Sequence, residues 1–219
     1  AAKIINEELT VDDSLFLYHD VCTNGIGYVD LMFKTDSIAP EQIPYLGLLK
    51  SVLGYVDTEN YTYGELFNEI NANTGGINCG VEVFDRADST EEFQAMFSVR
   101  GKALYTKMDF LFKMIGEILN SSKLEDTKRL YEIVASVKSR AQVNLTGAGH
   151  STAVLRAAAY SSPMAAFQDE MAGIGYYQFI EKLEKDFEQR KEETVEELCK
   201  LMKKILRPEN FMISYTGER

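Results

Sequence analysis

Leu17-Tyr18-His19-Asp20-Val21-Cys22-Thr23-Asn24-Gly25-Ile26-Gly27-Tyr28-Val29-Asp30-Leu31-Met32-Phe33-Lys34 holds two apolar, aromatic-rich runs around one turn signal. The first run, from Ser14 to Val21, is short and reads as a strand. Cys22-Thr23-Asn24-Gly25 supplies turn chemistry, because Asn-Gly accepts the positive φ values of a tight hairpin. Ile26 to Lys34 partly alternates and reads as a second strand. The two runs are expected to pair with each other as an antiparallel hairpin. Outward from here the period changes. Ile43, Leu46, Leu49, Val52 and Leu53 recur at helical spacing after Pro40, which suits a first helical turn. Thr62 with Glu65 forms a capping box for a helix to Asn73, ended by Gly75-Gly76. Ile77 to Phe84 and Phe93 to Lys102 read as a second antiparallel pair, joined by the polar turn Asp85-Arg86-Ala87-Asp88-Ser89.

The second half is mainly helical. Lys107 to Leu119 and Leu124 to Val143 each place apolar residues on one face. Gly147-Ala148-Gly149 breaks the chain before a short Ala-rich helix, Ser151 to Tyr160. Another helix opens at Ser161-Ser162-Pro163, is interrupted by Gly173 and Gly175, and resumes at Tyr176. A charged amphipathic helix, Glu192 to Leu206, ends at Arg207-Pro208, and Asn210 to Thr216 is a closing strand. The order is β-β-α-α-β-β-α-α-α-α-α-β, with no internal repeat, low-complexity tract or linker. That order implies one α+β domain over residues 1–219: two layers, a mainly antiparallel sheet, and helices packed on one side.

Composition narrows the function classes. The 219 residues are 45% apolar and 26% charged, enough to bury a sizeable core. Lys and Arg total 23 against 34 Asp and Glu, a net charge of −11. That balance argues against nonspecific nucleic-acid and anionic-membrane binding, which need a cationic face. Cys22, Cys79 and Cys199 are scattered and show no CxxC, so neither a disulfide framework nor a structural zinc site is expected, and a reducing compartment is. No apolar run reaches the roughly 18 residues of a membrane span, and no signal peptide is apparent. Residue 1 is Ala, and the chain stops just past its closing strand at Gly217-Glu218-Arg219. Both ends suggest a domain excised from a longer protein.

Catalytic groups are few. His19, beside Asp20 in a strand, reads as structural. His150 follows a glycine break and has two readings. A loop aims its imidazole into a cleft near Ser151 or Arg156, or a helix simply begins there with Ser151 or Thr152 as its cap; the second is favoured. Gly147-x-Gly149 and Gly173-x-Gly175 lack the strand and the Lys-Ser/Thr pair of a phosphate loop and read as helix breaks. Cys79 is expected in the core. Glu181 to Lys204 reads as a solvated helix face with i,i+4 pairs. Motif chemistry alone yields no self-sufficient active site.

Three strings, in order, resemble the third domain of presequence-protease-like members of the pitrilysin (insulinase) family. They are Leu17 to Phe33, the segment Gly147-Ala148-Gly149-His150-Ser151-x-Ala153-x-x-Arg156-Ala157, and Arg207-Pro208-Glu209-Asn210-Phe211-Met212-Ile213-Ser214-Tyr215-Thr216-Gly217. The likeness runs essentially end to end. It implies the repeated α+β domain of zinc endopeptidases built from four such domains in two halves that close around a peptide. Only the first domain carries the inverted zinc motif His-x-x-Glu-His.

On that alignment Leu46, Leu49 and Lys50 stand where His, Glu and His would be, and Ser136 falls near the distal Glu position. Leu cannot bind zinc and protonated Lys repels it, so no cofactor is expected in this chain. Zinc is expected in the catalytic domain of the full-length protein. The resemblance thus implies a non-catalytic, chamber-forming domain of a zinc metalloendopeptidase that degrades unstructured peptides, inactive alone. Its partners would be the other domains of the same polypeptide and the peptide substrate, with no nucleic acid or membrane. It implies a bacterial-like cytoplasm or an organelle matrix as the location. His150 and Arg156 are candidate substrate contacts. The alternatives are an inactive scaffold subunit on the same fold and a stand-alone peptide-binding module.

Overall fold

The computed structural model describes residues 5–11, 14–85 and 92–218. Six strands form one sheet: β1 (Ile5–Val11), β2 (Ser14–Asp20), β3 (Ile26–Lys34), β4 (Ile77–Asp85), β5 (Phe93–Leu104) and β6 (Phe211–Gly217). Their order across the sheet is β1-β2-β6-β3-β5-β4. Neighbours run antiparallel except β2 and β6, which are parallel. The polar turn expected after Asp85 falls on Arg86 to Ser89, outside the described residues.

The expected β2–β3 hairpin does not form, because β6 lies between the two strands. The turn itself is present. Asn24 and Gly25 adopt positive φ (54° and 83°), and Ile26 N donates to Thr23 O at 3.3 Å. Five residues, 21–25, join β2 to β3. Strands flanking a third lie about 9.6 Å apart, twice the usual spacing, and a connection of this length spans that gap where a two-residue turn cannot. The end of β6 fills the space. Val21 N donates to Gly217 O (3.3 Å), and the Glu218 carboxylate accepts from Thr23 N and Asn24 N (3.0 Å each). The outermost strand, β1, pairs with β2 from Asn6–His19 to Thr10–Leu15. Its sequence, INEELTV, is too polar to stand out as a strand.

Eight α-helices occur among the described residues: α1 (Ile43–Val52), α2 (Tyr63–Asn73), α3 (Met108–Ser121), α4 (Thr127–Gly147), α5 (Gly149–Ala158), α6 (Pro163–Ala172), α7 (Ile174–Lys185) and α8 (Phe187–Ile205). The capping box is real: Thr62 Oγ1 accepts from Glu65 N while the Glu65 carboxylate accepts from Thr62 N. The glycine breaks fall where expected, between α4 and α5 and between α6 and α7. No side chain caps α5, which begins at Gly149 after Ala148; instead of Ser151 or Thr152 acting as cap, the Thr152 hydroxyl donates back to Ala148 O (3.1 Å).

Directly opposed residues share a sheet face, so the register sorts the side chains. Val29, Leu31 and Phe33 of β3 lie level with Phe97, Val99 and Gly101 of β5 and with Phe211, Ile213 and Tyr215 of β6. This face meets the buried residues of the helices in one hydrophobic cluster that includes Leu46, Leu49, Leu111, Met114, Leu130, Ile180 and Leu198. Every strand residue in the cluster comes from this face. The other face, with rows such as His19–Thr216–Tyr28–Lys102, contributes nothing to it. The molecule is therefore an α+β fold with helices on one side of a mixed, mainly antiparallel sheet. Burying each core leucine contributes about 1.5–3 kcal/mol, and that burial ties the helical layer to the sheet.

Candidate functional site

The helix α1 decides what the aligned motif positions do. Leu46 and Leu49 are 0% and 1% exposed and belong to the core. Helical spacing puts them on the buried face with Leu48 and Val52, packed toward the sheet and α4. Ser136 is exposed on α4, one residue before the buried Val137. Among the described residues no three His, Cys, Asp or Glu side chains cluster as a metal site. The aligned positions supply two hydrocarbon side chains, an ammonium and a distant hydroxyl. That donor set does not fit zinc.

Lys50, by contrast, leaves the core. It lies in the last turn of α1 and lines a cleft of about 480 Å³. The cleft is bounded by Ser51 to Tyr55, by Phe67, Ile70 and Asn71 of α2, by the strand edge from Ile77 to Glu82, and by Arg140 of α4. Burial holds the Lys50 ammonium below its ordinary lysine value. It has no hydrogen bond or ion pair among the described residues, and neither has Arg140. Nearby, the Tyr176 hydroxyl is fully buried without a hydrogen-bond partner. It stands close to Ser51 and Arg140, but the Ser51 hydroxyl donates to Gly47 O (3.4 Å). Burial pushes the Cys79 thiol, which faces the core from β4, up to about 12 and leaves it a neutral, inert group.

His150 and Arg156 are separated in role. His150 is exposed in the first turn of α5. Arg156 Nη1 donates to Asp169 Oδ2 at 2.6 Å, and its guanidinium lies 5.9 Å from the Tyr160 ring centroid. Asp169 is 1% exposed and organises the α6–α7 junction. Its oxygens accept from Ile174 N (3.0 Å) and Gly175 N (3.1 Å), the first amides of α7. A Cβ on Gly173 would collide with the Asp169 Oδ1. The Gly173-x-Gly175 pair signals a helix break in the sequence. That a carboxylate six residues upstream of Gly175 fills the break carries no such signal.

The open sheet face has its own order. Arg100 Nε donates to Asp30 Oδ2 (2.7 Å), and Arg100 Nη1 lies 3.1 Å from Glu82 Oε1. Burial raises the Asp30 carboxyl pKa in spite of this guanidinium. His19 bridges strands, with Nδ1 2.7 Å from Asn6 Oδ1 and Nε2 3.2 Å from Ser214 Oγ. On this face Glu8, Asp30 and Glu82 are matched by Lys34, Arg100 and Lys102. The acidic excess sits elsewhere, including the outer faces of α7 and α8, where Lys138–Glu184, Lys191–Glu188 and Lys200–Glu196 pair. The face therefore does not attract cationic peptides through an acidic cluster.

The sequence matches, over residues 2–183, the family described as associated with the peptidases of family M16, subfamily C. It is 35% identical over 218 residues to Protein HypA of Clostridium perfringens, covering all of this chain and 22% of that protein. It is 29% identical over 168 residues to the mitochondrial presequence protease of Yarrowia lipolytica, covering 77% and 17%. It is also 26% identical over 202 residues to presequence protease 1, chloroplastic/mitochondrial, of Arabidopsis thaliana, covering 92% and 19%. The chain spans about a fifth of the length of these relatives. With this match spanning most of its length, and with hydrocarbon and ammonium groups where a metal motif would stand, the chain belongs to this peptidase-associated family as a non-catalytic, presequence-protease-like domain of the pitrilysin group.

Proposed function

We propose that this chain is a wall of a peptide-enclosing chamber in a longer zinc endopeptidase that degrades unstructured peptides. The observation that carries this reading is the six-stranded sheet whose one face holds the helices while the other stays outside the core. Such a face offers a broad, ordered surface to an enclosed chain. The near balance of charge on it suits substrates without a fixed charge. Similarity to a segment of presequence proteases supports the same role, with the other domains of the polypeptide as partners. Zinc and the water it activates would belong to another domain, since the aligned positions here hold no ligands. A bacterial cytoplasm or an organelle matrix fits the relatives' names, and no helix is long and apolar enough to cross a membrane.

The test is made on the full-length protein. Tyr28→Arg, on the open face, is expected to raise KM for long unstructured peptides and to leave a short fluorogenic substrate unaffected. Equal effects on both substrates, or on neither, would count against enclosure. Stoichiometric, tight zinc binding by residues 1–219 alone, or chelator-sensitive peptide cleavage by them, would overturn the non-catalytic assignment.

A further inference from the structure

We propose that the cleft between α1, α4 and the edge strand β4 binds an extended peptide segment, holding one of its carboxylates between Lys50 and Arg140 while its backbone pairs with β4.

Three features of this chain converge there. The first is charge. With a net charge of −11, acidic partners are abundant, and most cations in the helical layer have one. Lys50 and Arg140 face the same cleft without any. A largely buried ammonium with no counter-ion is costly, and an entering carboxylate removes that cost. The other ionisable groups of the cleft do not oppose it. Glu82 is engaged by Arg100 on the open face, Cys79 is neutral, and Tyr55 is half exposed.

The second feature is the orphan hydroxyl. Tyr176 is 5% exposed, its ring packs against Gly47, and its Oη stands by Ser51 and Arg140 with no partner. Buried hydroxyls are nearly always paired. A carboxylate beside Arg140 gives this donor an acceptor.

The third feature is the strand edge. Among the described residues β4 pairs only with β5, so alternate N–H and C=O groups of β4 point away from the sheet. Ile77 to Glu82 form one wall of the cleft, about 16 Å of edge at the usual rise per residue. An edge beside a pocket recognises an extended backbone through main-chain bonds and one side chain through the pocket. A free small anion would use the cations and leave the edge unused.

The experiment uses the full-length protein with a zinc chelator present to stop turnover. The probe is a fluorescein-labelled, amidated seven-residue peptide of alternating Val and Thr with a central Glu. Its controls are the central-Gln peptide, the Glu peptide N-methylated at alternate residues, and inorganic phosphate as competitor. The Glu peptide is expected to bind at least about tenfold more tightly than the Gln peptide. Lys50→Met should abolish that preference, Arg140→Gln should reduce it, and Tyr176→Phe should weaken Glu-peptide binding several-fold. N-methylation should lower affinity about tenfold or more. Removing an unpaired buried cation leaves the fold intact, so an unchanged thermal midpoint for Lys50→Met makes its result interpretable. Equal affinity for Glu and Gln peptides, or a preference that survives Lys50→Met, overturns the proposal. So does phosphate binding as tightly as the peptide, or a cleft already filled by a segment of the same polypeptide. Binding is read here and cleavage is not, so the cleft can fail while the chamber reading stands, and the reverse.

Discussion

Replacing Asp169 by Ala should be among the most damaging single changes in the helical layer. The carboxylate accepts from Ile174 N and Gly175 N and receives the Arg156 guanidinium, all within 3.1 Å. It sits at the start of α7, where an anion also meets the positive end of the helix dipole. Losing a capping carboxylate costs about 0.5–2 kcal/mol. Leaving the buried Gly175 N–H unsatisfied costs about 1–3 kcal/mol more. Arg156 remains partly exposed and rehydrates, so the full penalty for an orphaned buried charge does not apply. The sum is about 3 kcal/mol, which in a chain of this size lowers the midpoint by about 6–12 °C. The chain has no Trp, so the assay is urea and thermal unfolding followed by far-UV circular dichroism. Asp169→Asn, which keeps an acceptor, should lose about half as much. Arg156→Met should be silent in the Asp169→Ala background, since Arg156 acts on the fold through Asp169. A loss below about 1 kcal/mol for Asp169→Ala would refute the reasoning. If Arg156→Met altered peptide binding but not stability, Arg156 would be a substrate contact after all.

Three further outcomes are expected. Leu49→Ala should destabilise by about 2–5 kcal/mol, measured by the same unfolding, because the aligned motif position is core; a neutral result would mean that α1 is not anchored there. Thr62→Ala should cost about 1 kcal/mol through loss of the α2 cap, with amide exchange accelerated in the first turn of α2 as the local readout. Lys50 has a folded-state pKa below its unfolded value of 10.5, so the unfolded chain binds more protons between the two. Stability should therefore rise as pH climbs through the folded pKa toward 10.5, and fall back as pH drops through it. Lys50→Met should remove that rise, and identical pH profiles for the two proteins would show that the ammonium is solvated.

Local chemistry was legible wherever a residue acts on its own neighbours. The Thr62–Glu65 box, the Asn24-Gly25 turn and the glycine breaks at Gly147 and Gly173 are short-range devices, and each appears at its residues. The helical period around Leu46 and Leu49 was likewise enough to place them on a buried face. β1 was not legible, because its pairing with β2 rather than its composition makes it a strand. Nor was the commitment of Arg156 to Asp169, although they are thirteen residues apart, since nothing in the intervening sequence marks which side chain will fill the α6–α7 break.

By itself the sequence determined the α+β class, the succession of helices and strands, and the absence of zinc ligands at the aligned positions. Those properties follow from side-chain period, turn residues and donor chemistry, all carried within a few residues. The tertiary structure alone decided that β6 enters between β2 and β3, because the sheet gains a doubly paired central strand where a closed hairpin would have left β6 at an edge. It also decided that Lys50, Arg140 and Tyr176 meet at one cleft. They come from three helices far apart along the chain, and only the packing of those helices onto one face of the sheet brings an unpaired ammonium, a guanidinium and an orphan hydroxyl beside the edge of β4.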